Sequence, residues 1–155
     1  MPRHSAKVDV NQSAFVAAVR AMPGGDVLHL HTLGQGAPDL LVAANVHGKR
    51  EQVLVELKRG PKAKLTSDEQ KWHAHWLGIV LVAWCPQQLL NYWQMPVGPY
   101  VRTVIWGYEQ ELMGKDRWAF DEYAKALRDL GKVVPWPTVW DASDRALIPA
   151  PAFVP

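Results

Sequence analysis

The sequence of 155 residues contains one cysteine, Cys85. No internal disulfide can form, which fits a reducing compartment and a fold held by burial and hydrogen bonding. Long apolar runs are missing too. No stretch approaches the roughly 20 residues that a membrane-spanning helix needs, so no membrane association is expected. Met1 to Asp9 is basic but lacks the apolar segment of a secretory signal. Nor is there a strong charge of either sign. Seventeen Lys and Arg stand against fifteen Asp and Glu, a formal net charge of +2. So mild a surplus does not mark a nucleic-acid binder, and only the placement of the cations can. Internal repeats are absent. Gly34-Gln35-Gly36 lacks the remainder of a nucleotide-binding fingerprint and is expected to be a flexible link where backbone comes close to something. These absences leave an ordinary globular chain, expected to form one domain.

What is present concentrates between Pro38 and Lys58. Leu40–Ala44 and Gln52–Leu57 are short and aliphatic and are expected as strands. The polar stretch Asn45 to Glu51 is the turn between them. Strands joined by so short a turn pair antiparallel. Centring the hairpin on His47-Gly48 puts Ala43 opposite Gln52, Leu41 opposite Leu54 and Asp39 opposite Glu56. Side chains alternate, so Asp39, Glu56 and Lys58 share one face. Opposed residues have Cβ atoms about 5 Å apart. Two ionised carboxylates that close repel unless one takes up a proton or a cation sits between them. Hard divalent cations such as Mg²⁺ are held by one or two carboxylates with waters and substrate phosphate. Such an ion lowers the pKa of a bound water and polarises a phosphodiester. A nearby ammonium offsets charge developing on phosphorus.

Around this hairpin the chain reads in order. Met1 to Lys7 is a loose basic arm. A helix capped by Asp9 or Asn11 runs to about Ala21, and Val27 to Leu33 alternates as a first strand. After the hairpin, Arg59, Lys62 and Lys64 form a basic loop suited to gripping phosphates, or simply a solvated loop. Thr66 and Glu69 give a capping-box signature, so a helix starts there, with Trp72 and Trp76 on one face and Gln70, His73 and Leu77 on another. Gly78 ends it. Ile79 to Trp84 returns as a buried strand, parallel by the right-handed crossover rule. Beyond Pro86, Gln87 to Trp93 is expected as a helix, Tyr100 to Trp106 as a strand, Trp118 to Leu130 as a helix, and Val133 to Pro155 as irregular. His29 and His31 on one strand have no third ligand at zinc spacing. Cys85 has no evident catalytic partner, and core packing is its default.

Pro38-Asp39 followed by Glu56-Leu57-Lys58 resembles the PD-(D/E)xK nuclease motif. Lys64 to Gln70 is similar to the pattern that follows this motif in the VRR-NUC and archaeal Holliday-junction-resolvase branches. The resemblance covers roughly residues 9 to 83. It implies an α/β, restriction-endonuclease-like core of order α-β-β-β-α-β over about residues 9–84, with a C-terminal extension over 86–155. It implies Mg²⁺, with Mn²⁺ able to substitute, held by Asp39, Glu56 and the Leu57 carbonyl. Lys58 would orient or activate water, and Gln70 would steady water or phosphate. Such families carry an acid on the first helix, and here only Gln12 or Asp9 stands near that place. The implied activity is endonucleolytic cleavage of DNA, branched DNA first, by a homodimer in the cytoplasm of a prokaryotic or phage-infected cell. The alternatives are a non-catalytic nucleic-acid-binding or assembly protein on the same fold, or a sequence-specific restriction-type nuclease.

Overall fold

The structure, a computed structural model, describes residues 10–129, 138–141, 143 and 145–150. Helix α1 (Val10–Arg20) leads into strand β1 (Asp26–His29). Strands β2 (Leu40–Val46) and β3 (Lys49–Leu57) form the hairpin, followed by α2 (Ser67–His75) and β4 (Val80–Ala83). Then come α3 (Pro86–Tyr92), α4 (Pro99–Lys115), α5 (Arg117–Asp129), β5 (Thr138–Asp141) and β6 (Ala146–Pro149). The described strands form one mixed sheet in the order β1-β2-β3-β4-β5-β6. Only β3 and β4 pair parallel; every other neighbouring pair among the described strands is antiparallel. The first part of the chain therefore follows the expected order of helix, three strands, helix, strand, in an α/β fold.

The hairpin has the register that residue alternation gives, with Leu41 opposite Leu54 and Ala43 opposite Gln52. Val46 pairs with Lys49, leaving His47-Gly48 as a two-residue turn with φ of +51° and +81°. Positive φ at both positions matches the twist of the flanking strands. Leu40, Val42, Ala44 and Val46 of β2, Val53 and Val55 of β3, and Leu81 and Ala83 of β4 point to one side. There they pack with Phe15 and Val19 of α1, Leu89 and Leu90 of α3, and Val101 and Ile105 of α4. Trp84, Cys85, Tyr108, Leu112 and Tyr123 form a second cluster joining the end of β4 to α4 and α5. Glu56 alternates onto the opposite side of the sheet, where α2 lies.

Several expectations are corrected. The first strand does not reach Leu33, because His29 already pairs with Leu40 and the chain must turn; His31–Leu33 is a single 3-10 turn. Asn11 lies within α1 rather than capping it. Tyr100 to Trp106 is helical, within α4. Its Val, Thr and Ile content suggests a strand, but buried Val101, Ile105, Tyr108 and Leu112 follow helical spacing behind Pro99 at the helix start. Residues 138–141 and 146–149 are not irregular: they form a hairpin that extends the sheet past β4. Met1 to Lys7, Asp9, Leu130, 133–137 and 151–155 lie outside the described residues.

The link from β1 to β2 closes against α2. Gly36 has φ +80°, and a Cβ there would stand 2.3 Å from the Asp68 carbonyl oxygen and 2.7 Å from the Glu69 nitrogen. Glycine thus lets the segment just before Asp39 touch the first turn of α2. Gly36→Ala is expected to destabilise the protein by about 1–3 kcal/mol, combining left-handed strain with overpacking against backbone. Gly48→Ala has the same unfavourable φ but nothing within 4 Å. It should therefore cost less. Urea unfolding of both variants checks the ranking, and equal midpoints would contradict it.

Candidate active site

The end of β3 is held from several sides. Asp39, one residue before β2, accepts a hydrogen bond from the Leu57 N–H at its Oδ2 (2.8 Å), and its own carbonyl accepts from the Leu30 N–H (2.7 Å). The Lys58 N–H donates to the Ala83 carbonyl of β4 (2.9 Å). From α1, the buried Asn11 donates its Nδ2 to the Lys58 carbonyl (2.6 Å). Residues 56–58 are therefore fixed by β2, β4 and α1 together, and their side chains inherit that rigidity.

Two carboxylates flank one ammonium, and the charge of a third, Asp39, acts on the nearer of them. Lys58 Nζ lies 3.0 Å from Glu56 Oε1 and 2.6 Å from Glu69 Oε2. Glu69 Oε2 also accepts from the Thr66 N–H (2.7 Å), and Thr66 Oγ1 accepts from the Glu69 N–H (3.3 Å), which completes the capping box. Glu56 is 3 % exposed. Burial, followed by the charges of Asp39 and Glu69, pushes its carboxyl up to about 8 despite the opposing pull of Lys58. Burial also acts against the Lys58 ammonium, but its bonds to Glu69 and Glu56 outweigh that and raise its pKa. Burial acts against the Glu69 carboxylate as well, yet the Lys58 and Thr66 hydrogen bonds hold it below the usual range. Positive charge is thus short at this site. Glu56 makes up the deficit with a proton.

The other expected residues fall as follows. Gln70 donates its Nε2 to the Leu65 carbonyl (3.1 Å), which keeps it beside the loop that precedes α2. Arg59, Lys62 and Lys64 are on that loop, with Lys62 Nζ 3.7 Å from Glu122 Oε2. Gln12 contacts His29 (3.4 Å), so it points to β1. Of the described α1 residues it is Asn11, not Gln12, that reaches the end of β3, through the Lys58 carbonyl; Asp9 lies outside the described residues. The His29 and His31 rings stand edge-on at 6.0 Å, although only His29 is on the strand. Cys85 is buried and its thiol is pushed up to about 12 by that burial, so it has no nucleophilic role at neutral pH. Glu69 and Asn11 are the residues whose part here sequence reasoning missed. Glu69 has a familiar local role at a helix start and Asn11 was expected to have one, and neither role points to Lys58. His73 belongs with them: it is buried, that burial lowers the pKa of its imidazole, and its Nε2 has no hydrogen-bond partner among the described residues.

The donor set suits a hard divalent cation. Asp39 and Glu56 offer carboxylate oxygens, the Leu57 carbonyl is adjacent, and the proton retained by Glu56 marks where positive charge is missing. Among the described residues no group of three or more His, Cys, Asp and Glu side chains is arranged around an ion position. An ion here would therefore complete its shell with backbone oxygen and water.

The retained proton gives a test. An unfolded chain releases it near 4.5, the folded one near 8. Across that window the folded state binds more protons, so stability is highest below it and declines as pH rises through it, by up to about 1.4 kcal/mol per pH unit. Glu56→Gln carries no titrating proton and is expected to flatten that decline in metal-free buffer, so that its stability relative to the unaltered protein improves steadily from pH 5 to pH 8. Urea titrations at several pH values check this, and parallel pH profiles would overturn it. Compared with protein-family models, with curated proteins and with solved structures, the chain matches none, so the reading of this site stands on its own geometry.

Proposed function

We propose that the chain is a Mg²⁺-dependent endonuclease of the PD-(D/E)xK type that hydrolyses phosphodiester bonds in DNA, branched DNA in particular. The observation that carries this reading is the buried Glu56 carboxyl, paired with Lys58 and still short of positive charge beside Asp39. A binding protein gains nothing from a cluster of carboxylates facing phosphate, whereas a metal-assisted hydrolase needs one. Asp39, Glu56 and the Leu57 carbonyl would hold the ion, and Mn²⁺ would serve in place of Mg²⁺. When bound, the ion supplies a more acidic water and a polarised phosphodiester.

The remaining work falls to the chain's own groups. Lys58 keeps its proton, so it donates hydrogen bonds to water or to a phosphoryl oxygen and does not act as a base. Glu69 holds that ammonium in place at 2.6 Å. Gln70, next in sequence, steadies water or phosphate. Arg59, Lys62 and Lys64 grip phosphates without reading sequence. The order helix, three strands, helix, strand supports a restriction-endonuclease-like core. Symmetric cutting of a junction calls for two such sites, hence a homodimer.

Labelled junction, flap, linear duplex and single strand, incubated with and without Mg²⁺, test the activity. Asp39→Asn is expected to reduce cleavage by several orders of magnitude. In EDTA it should bind DNA as tightly as the unaltered protein or more tightly, because one charge facing a polyanion is removed. Lys58→Ala should also stop cleavage, with binding unchanged or slightly weaker. If the unaltered protein cuts no DNA structure with Mg²⁺ or Mn²⁺, the reading fails and a non-catalytic DNA-binding protein replaces it.

The basic loop has its own test. Replacing Arg59, Lys62 and Lys64 together by Ala should weaken binding to all duplex sequences alike. The slope of log K against log salt should shrink by roughly 0.9 for each phosphate that is no longer neutralised. An unchanged slope would move the phosphate-binding surface elsewhere.

A further inference from the structure

We infer that the Trp72–Trp76 pair at the C-terminal end of α2 is a stacking platform for unpaired bases, so that the DNA this chain engages includes a single-stranded segment. The inference rests on the DNA-binding reading above and specifies the substrate further. The two indoles are stacked, with centroids 5.0 Å apart and planes 19° apart. Trp76 is 48 % exposed, and Leu77 and Ile79 beside it are exposed as well. The outer ring is seated: a Cβ on Gly78 would come within 2.6 Å of the Trp76 indole nitrogen. A stacked pair held in this way, its outer ring Trp76 exposed and Trp72 half-buried behind it, presents a flat apolar surface without a further ordering cost when a base lies on it.

The pair is aligned with the candidate active site. Glu69 and Trp72 lie at i and i+3 on one stripe of α2, and Trp76, the residue that caps its C-terminus, follows at i+7 with its N–H bonded to the Trp72 carbonyl. At a rise of about 1.5 Å per residue, Trp76 is about 10 Å along the axis from Glu69, which bonds to Lys58. That distance corresponds to roughly three nucleotide steps of a stacked strand.

Charge identifies the occupant. Residues 59–79, past the buried Glu56–Lys58 pair, hold four cations (Arg59, Lys62, Lys64 and Lys71) and two acids, Asp68 and Glu69. This segment alone carries as much positive charge as the +2 of the entire chain. Both acids have partners: Asp68 lies 3.9 Å from Lys71, and Glu69 holds Lys58. A cationic surface with an exposed π-face is complementary to a polyanion with accessible bases. Duplex DNA offers the charge but hides the faces of its bases, and single-stranded DNA offers both.

The test measures binding in EDTA, where no cleavage can occur. The probes are a fluorescein-labelled oligothymidine of about 15 nucleotides and a blunt duplex, both followed by anisotropy. Trp76→Ala is expected to weaken oligothymidine binding by roughly 5- to 100-fold and to leave duplex binding and the salt slope unchanged. Trp76→Phe, which keeps a ring, should restore most of the loss. Leu77→Glu alters a fully exposed position and cannot disturb the core; it should weaken oligothymidine binding more than duplex binding, even if Trp76→Ala proves unstable in a thermal melt. Unchanged oligothymidine affinity in these variants overturns the inference. So does an equal loss on both probes, no binding of oligothymidine by the unaltered protein, or a Trp76-dependent dimer in light scattering, which would make a second copy the occupant. Failure here leaves the cleavage test of Asp39→Asn standing. Failure of cleavage alone leaves the platform standing.

Discussion

Lys58 is one ammonium between the carboxylates of Glu56 and Glu69, with the charge of Asp39 also acting on Glu56, and much of the local structure follows from that deficit. Glu56 is buried beside it, so the surplus negative charge cannot be relaxed by water. It is relieved by a proton on Glu56 and by two short contacts to the lysine. Such an arrangement is expensive for stability alone, because replacing buried charges by apolar groups usually costs nothing or helps. The proposed function supplies a reason for it to persist, because a metal-assisted hydrolase needs those oxygens.

The fold keeps the carboxylates in place through backbone contacts. Asp39 accepts from the Leu57 N–H, Asn11 donates to the Lys58 carbonyl, and Gly36 lets the segment before Asp39 lie against the first turn of α2. Three segments far apart in sequence therefore meet at one strand end. Buried backbone groups that would otherwise lack partners are satisfied by the same contacts that orient the site.

The hairpin was legible in the sequence because two periodicities agree there. Alternation of apolar residues sets which side chains share a face, and His47-Gly48 sets the register. The capping box of Thr66 and Glu69 and the return strand after Gly78 were legible for similar local reasons. The helix at Pro99 was not, since Val101, Thr103, Val104 and Ile105 favour strands locally, and only packing against α1 and α5 selects the helix. The β5–β6 hairpin was hidden by short runs broken by proline. Asn11 and Glu69 were hidden differently. Each is an ordinary helix-start residue, and the contacts that give them further importance span 47 and 11 residues of chain.

Glu69 Oε2 receives the Thr66 N–H that completes the capping box and the Lys58 ammonium of the site. One oxygen thereby joins two equilibria, the fraying of α2 and the distribution of charge around Lys58. Anything that draws Lys58 away frees Glu69 to cap more tightly. Anything that opens the first turn of α2 releases the ammonium toward Glu56. The amide protons at the start of this helix, whose hydrogen-exchange rates follow local opening, therefore act as a built-in reporter of how Lys58 is engaged.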